Sequence, residues 1–158
     1  MRLTLCKENE RNGILREIER RFGIPTTVFE GHILVVRGKK EVWVTRNSVL
    51  EVGLEGCVRT GIPLLRWTTK GFRLTSSAVR AFGALATRGV VEIPPHNRGF
   101  AERFIRGEEI PLTTEEELVG QVIVRWKGQP LGPGLVQSDR IKNQVPVKMR
   151  VRGRICSR

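Results

Sequence analysis

The chain has 158 residues, enough for one ordinary domain or two small ones, and its 39% hydrophobic and 28% charged residues exclude both a disordered tail and a membrane protein. No apolar run approaches the roughly 20 residues that cross a bilayer, and the start, MRLTLCKENERN, turns polar too early for a secretory signal, so a cytoplasmic protein without a membrane partner is expected. Lys and Arg number 28 against 16 Asp and Glu, a net charge of +12 that points to polyanions as partners.

The first fifty residues read as a small α/β unit. Arg2 to Leu5 alternates like a strand, and Arg11 to Phe22 sets Ile14, Leu15, Ile18 and Phe22 on one helical stripe. Gly23 and Pro25 stop that helix. HILVV, His32 to Val36, and EVWVT, Glu41 to Thr45, flank RGKK and predict a hairpin with Gly38 in its turn. Around Asn47 to Gly56 the pattern loosens, which places a domain boundary after residue 52 and a second domain over 53–158.

That second stretch shows short strands separated by glycines: CVRTGIPLLRW, KGFRL, VVEI, GQVIVRW and VPVKMRVRG. Such spacing predicts a small barrel. Thr75 or Ser76 can cap a helix running to about Leu85, and Arg98 to Arg106 forms a shorter one that buries Phe100 and Phe104 and ends at Gly107. The fold class is therefore α+β, a small α/β domain followed by a mixed β-barrel with short helices. Trp67 and Trp126 sit in strands beside apolar neighbours and read as core or rim residues, with base stacking the sharper alternative.

From Gln121 to Arg158 nine basic residues face Asp139 alone, a net +8 of the total +12. The acids gather instead at Glu108, Glu109, Glu115, Glu116 and Glu117, read as a solvated loop pointing away from any ligand. Within the basic quarter, GQPLGPGLVQSDRIKNQVP sets Gly128, Gly132 and Gly134 close together. It has neither the GxxxxGK[ST] pattern nor a dinucleotide fingerprint. Glycines there either serve bulges and bends or bring backbone amides close to a ligand. Lys142 followed by Asn143 suits nucleic acid, the ammonium for phosphate and the amide for a base or sugar edge.

These same residues carry a resemblance. GQVIVRW, GQPLGPG and RIKNQVP, together with VRTGIPLLRWTTKGFRLTSSAVRAFG (Val58 to Gly83) and AERFIRGEEI (Ala101 to Ile110), are similar to the C-terminal RNA-binding module of RNA 5-methylcytosine methyltransferases of the Fmu/Sun type, the branch that ends in a PUA-like domain. The resemblance covers about the final hundred residues. This chain has Ser76 and Ser77 where that family tends to have a histidine, and Pro133 where it tends to have an aromatic. It implies a PUA-like domain over 53–158 and a partner that is structured RNA, transfer or ribosomal, in RNA modification or ribosome biogenesis.

In such enzymes the catalytic domain, with its S-adenosylmethionine pocket and paired cysteines, precedes this module. Here Cys6, Cys57 and Cys156 are odd in number, none follows a proline, and none sits in a CxxC, so inert thiols are expected. No GxGxx loop opens a helix after an N-terminal strand. The expectation is a noncatalytic RNA-binding protein with no cofactor and no metal. Its RNA contacts would be Arg66, Lys70, Arg73, Arg125, Lys127, Gly132, Gly134, Arg140, Lys142, Asn143, Lys148, Arg150 and Arg152, the cations on phosphates and the glycine amides with Asn143 on local shape or a base edge. Two alternatives remain: a targeting subunit that docks through the hairpin Ile33 to Val44 on a separate RNA-modifying enzyme, and a nuclease or transferase built from Glu92, His96 and lysines.

Overall fold

The structure, a computed structural model, describes residues 2–57 and 59–152. Val58, Gly153, Arg154, Cys156 and Arg158 of the sequence reading lie outside the described residues. The chain divides into two compact units, Met1–Ala78 and Val79–Arg158.

In the first unit β1 (Leu3–Leu5), β2 (His32–Arg37), β3 (Glu41–Arg46), β4 (Ile62–Thr68) and β5 (Gly71–Leu74) form one antiparallel sheet in sequential order. Between β1 and β2 runs α1 (Glu8–Phe22), which buries the predicted stripe Ile14, Leu15, Ile18 and Phe22 and ends at left-handed Gly23, whose N–H caps Glu19. Each of these apolar side chains, fully withdrawn from water, contributes about 1.5–3 kcal/mol. The other sheet face holds a smaller cluster of Leu3, Val35 and Trp43, with Leu54 and Cys57 packed against it.

The loosened segment after β3 contains the short α2 (Val49–Val52) and returns the chain to β4, which pairs directly with β3. It is thus a connection within one sheet. β4 and β5, assigned from sequence to a domain beginning at residue 53, complete the sheet of the first unit, and the division falls at Ala78. It lies within α3 (Ser76–Phe82), whose first turn is capped by Thr75, the hydroxyl accepting from the Ala78 N–H at 3.1 Å.

The second unit continues through a 3-10 turn (Gly83–Leu85), β6 (Val90–Ile93), α4 (Arg98–Ile105), β7 (Ile110–Pro111), β8 (Gln121–Trp126), β9 (Gln129–Gln137), β10 (Arg140–Asn143) and a second 3-10 turn (Val147–Met149). Its curled sheet runs β6-β8-β9-β10-β7, with β6 parallel to β8 and every other pair antiparallel. Asn97 caps α4 by accepting from the Phe100 N–H, and Phe104 enters a core of Val91, Ile93, Ala101, Ile110, Val122, Val124, Ile141 and Val145. The molecule is therefore α+β, as its sequence predicts.

Two elements differ from expectation. The glycine segment is largely a strand: β9 is paired on both edges, with β8 and β10, and a bulge between Val124 and Arg125 accommodates Pro130 opposite Arg125. VPVKMRVRG, expected as a strand, forms the turn at Val147–Met149 over its described part. Its alternating apolar residues do not share a buried face, since Val145 is 2% exposed and Val147 67%. No edge is open beside β10 either, because β9 and β7 flank it.

Candidate nucleic-acid interface

The second unit uses several of the expected contact residues to hold itself together. Gly132 and Gly134 are buried in β9, and a Cβ at Gly132 would stand 2.5 Å from Val145 Cγ2, one at Gly134 against Ile141 Cγ2. Their lack of a side chain lets β9 lie under core residues, a packing role. The amide of Asn143 is likewise engaged. Its Nδ2 donates to the carbonyls of Phe104 (2.5 Å) and Glu108 (3.4 Å), and its Oδ1 accepts from the Val145 N–H (2.8 Å). Those bonds tie the amide to the backbone around the carboxyl end of α4.

Arg150 donates from Nε to the Val145 carbonyl at 2.9 Å and lies against Gly107, so it too serves the α4 terminus. Arg125, with a side chain 16% exposed, pairs with Glu92 and donates from Nη1 to the carbonyls of Gly83, Ala84 and Ala86. That is a partly buried clamp on the 3-10 turn. Glu92, in the enzyme alternative, is its counter-ion, while His96 is exposed.

The remaining cations of this unit are outward. Arg140 and Lys142 share the exposed side of β10, on either side of buried Ile141. Arg140 lies 3.6 Å from Glu109, whereas Lys142, Lys148, Arg152 and Lys127 are exposed and have no ion-pair partner among the described residues. Lys127, at φ 51, caps the face of Trp126 with its ammonium 4.8 Å from the ring centroid. Trp126 itself packs against the core. In the acidic segment Glu108 pairs with Arg103 and Glu109 with Arg140, while Glu115, Glu116 and Glu117 are exposed. Sequence reading missed the cations of α4, where Arg98 and Arg106 both reach Glu102. Their four- and eight-residue spacing on one helical face was the available signal.

The first unit contributes as much charge as the second, fourteen basic against eight acidic residues in each, or +6 apiece. One row across its sheet sets Arg37, Glu41, Arg66 and Arg73 side by side on β2 to β5. Glu41 lies 3.6 Å from Arg37 and 3.2 Å from Arg66, so two guanidinium groups share one carboxylate and Arg73 stands opposite one of them. Like charges directly opposite are unfavourable in a sheet, and Arg66 and Arg73 are held so on exposed strand positions. Such an arrangement suits an anion.

On the neighbouring register Trp67 faces Phe72, edge to face at 5.8 Å between centroids, and the exposed turn between them carries Lys70. Arg21 of α1 lies over the Phe72 ring at 4.7 Å and donates to its carbonyl at 2.8 Å, and burial lowers its affinity for a proton. Arg20 binds Glu17 through two nitrogens, which holds the Glu17 carboxyl below its usual range. Cys6 is buried and its thiol is pushed up to about 11, mainly by desolvation and secondarily by Glu10, so it is a poor nucleophile. Among the described residues no group of three or more His, Cys, Asp or Glu could hold a metal, and no helix is long and apolar enough to cross a membrane.

Residues 97–151, which span α4 to β10, match the family described as Methyltransferase RsmF PUA domain. Over a longer stretch the chain is similar to the protein named ribosomal RNA small subunit methyltransferase F. It is 34% identical to that of Aeromonas salmonicida over 140 residues, 87% of this chain and 27% of the relative. The Aeromonas hydrophila protein is 32% identical over 142 residues (89% and 28%), and the Shewanella loihica protein 27% over 155 (98% and 30%). The chain thus spans less than a third of these relatives, and the similarity reaches well into the first unit, beyond the final hundred residues that carried the resemblance in sequence.

Proposed function

We propose that this chain binds structured RNA, transfer or ribosomal, in the cytoplasm, without catalysing a reaction on it, in the service of RNA modification or ribosome biogenesis. The observation that carries this reading is the PUA match over 97–151, on a unit whose exposed Lys127, Lys142, Lys148 and Arg152 have no counter-ion among the described residues. Each unit supplies its own phosphate contacts, these four with Arg140 in the second and Arg66, Lys70 and Arg73 in the first. Affinity then comes mainly from counter-ion release and falls with salt. Shape and 2′-hydroxyl contacts supply selectivity.

The relatives are named methyltransferases and extend far beyond the part that this chain spans, which favours a second reading of the same surface. In it the RNA-bound chain presents its cargo to a separate RNA-modifying enzyme. Retrieval of such an enzyme that survives nuclease treatment distinguishes the two.

The test is a salt titration on a folded RNA. Replacing Lys142 and Lys148 with Ala should flatten the slope of log affinity against log salt by roughly 0.7–0.9 for each phosphate no longer neutralised. An unchanged slope would remove both residues from the footprint, and absence of RNA binding by the wild-type chain would end the proposal.

A further inference from the structure

The first unit contains an open cleft of about 570 Å³ between α1 and the β4–β5 turn, a size in the range of small-molecule sites. One wall is Trp67, 39% exposed although it is a large aromatic held edge to face on buried Phe72. Glu10, Glu17, Arg20, Arg21 and the exposed Lys70 line the cleft as well. Glu17 is neutralised by Arg20, while Glu10 has no ion-pair partner among the described residues. Arg20 and Arg21 line the same cleft, so Glu10 is the carboxylate left to accept from a ligand's donor, and the exposed Lys70 offers an ammonium to an adjoining phosphate. A flat ligand with hydrogen-bond donors suits this combination of an exposed indole and an unpaired carboxylate.

We propose that this cleft takes one unpaired base of an RNA strand, stacked on Trp67, with its amino edge on Glu10 and the adjoining phosphate on Lys70. A carboxylate accepts from the exocyclic amine of cytosine. The lone imino donor of uracil lies between two carbonyl oxygens, which the same carboxylate repels. The cleft therefore selects cytosine over uracil. The inference rests on the RNA-binding reading and extends it: the exposed cations take phosphates of any sequence, and the cleft adds recognition of a single-stranded base.

The experiment uses the full chain with cytosine and uracil RNA hexamers, read by tryptophan fluorescence and by competition against a folded RNA. The cytosine hexamer should bind more tightly and quench fluorescence. Trp67→Leu should abolish the quench and weaken hexamer binding about tenfold, the usual worth of one base stacked on an aromatic. Glu10→Gln should remove the preference for cytosine. Lys70→Ala, on an exposed turn, should weaken both hexamers and reduce the salt slope by roughly 0.7 even if Trp67→Leu proves unstable. Hexamer binding that is unchanged in both Trp67→Leu and Lys70→Ala would overturn the cleft. Binding of folded RNA without any hexamer binding would also overturn it while leaving the RNA-binding reading intact, whereas failure to bind either RNA would remove both.

Discussion

Asn143 separates two physical pictures of this surface. Its side chain makes bonds of 2.5 Å to the Phe104 carbonyl and 2.8 Å from the Val145 N–H, and both partners belong to residues with fully buried side chains. The third bond, at 3.4 Å to Glu108, is long and exposed and adds little. Two good bonds at about 1 kcal/mol each imply that Asn143→Ala destabilises by about 2 kcal/mol. For a cooperative unit of this size that lowers the melting temperature by about 8–16 °C. Asn143→Asp keeps the acceptor for Val145 but sets a carboxylate against two carbonyl oxygens, and should melt at least as low. The assay is thermal denaturation by circular dichroism beside RNA affinity measured well below the transition, where affinity should change little. An Asn143→Ala protein that melts like the parent but no longer distinguishes between RNAs would refute the reasoning and restore a base-reading amide.

Gly132→Ala should destabilise by about 1–3 kcal/mol through overpacking against Val145, seen as a lower denaturant midpoint with RNA affinity preserved in the folded protein. Cys6 should resist iodoacetamide at pH 8 far better than a free thiol, checked by peptide mass spectrometry of the labelled protein. Its raised folded pKa means that the contribution of the buried thiol is complete below pH 9 and is lost as pH rises toward 11, so alkaline melting should shift in that window.

Where local pattern and tertiary demand agreed, the residues announced their structure. The stripe of Ile14, Leu15, Ile18 and Phe22, the stop at Gly23, the Gly38 hairpin and the Thr75 cap are all decided by nearest neighbours along the chain. β9 was hidden because glycine and proline weaken a strand on propensity alone, and only the crowding of Val145 and Ile141 over Gly132 and Gly134 makes small residues necessary there. The same non-local logic hid the uses of Asn143, Arg125 and Arg150. Their partners lie 39, 33 and 5 residues away, and a composition-based reading cannot tell a cation bound to carbonyls from one left in solvent. Lys142 was legible for the opposite reason: between Ile141 and Asn143 on a strand, alternation alone sends it outward.

The row in which Arg37 and Arg66 flank Glu41 and Arg73 stands opposite Arg66 has a bearing on storage and assay conditions. Dissolved ions screen that crowding, so concentrated salt should firm the first unit while it detaches the nucleic acid. A phosphate chain performs the same screening when bound, and the uncomplexed molecule is consequently at its loosest in dilute buffer.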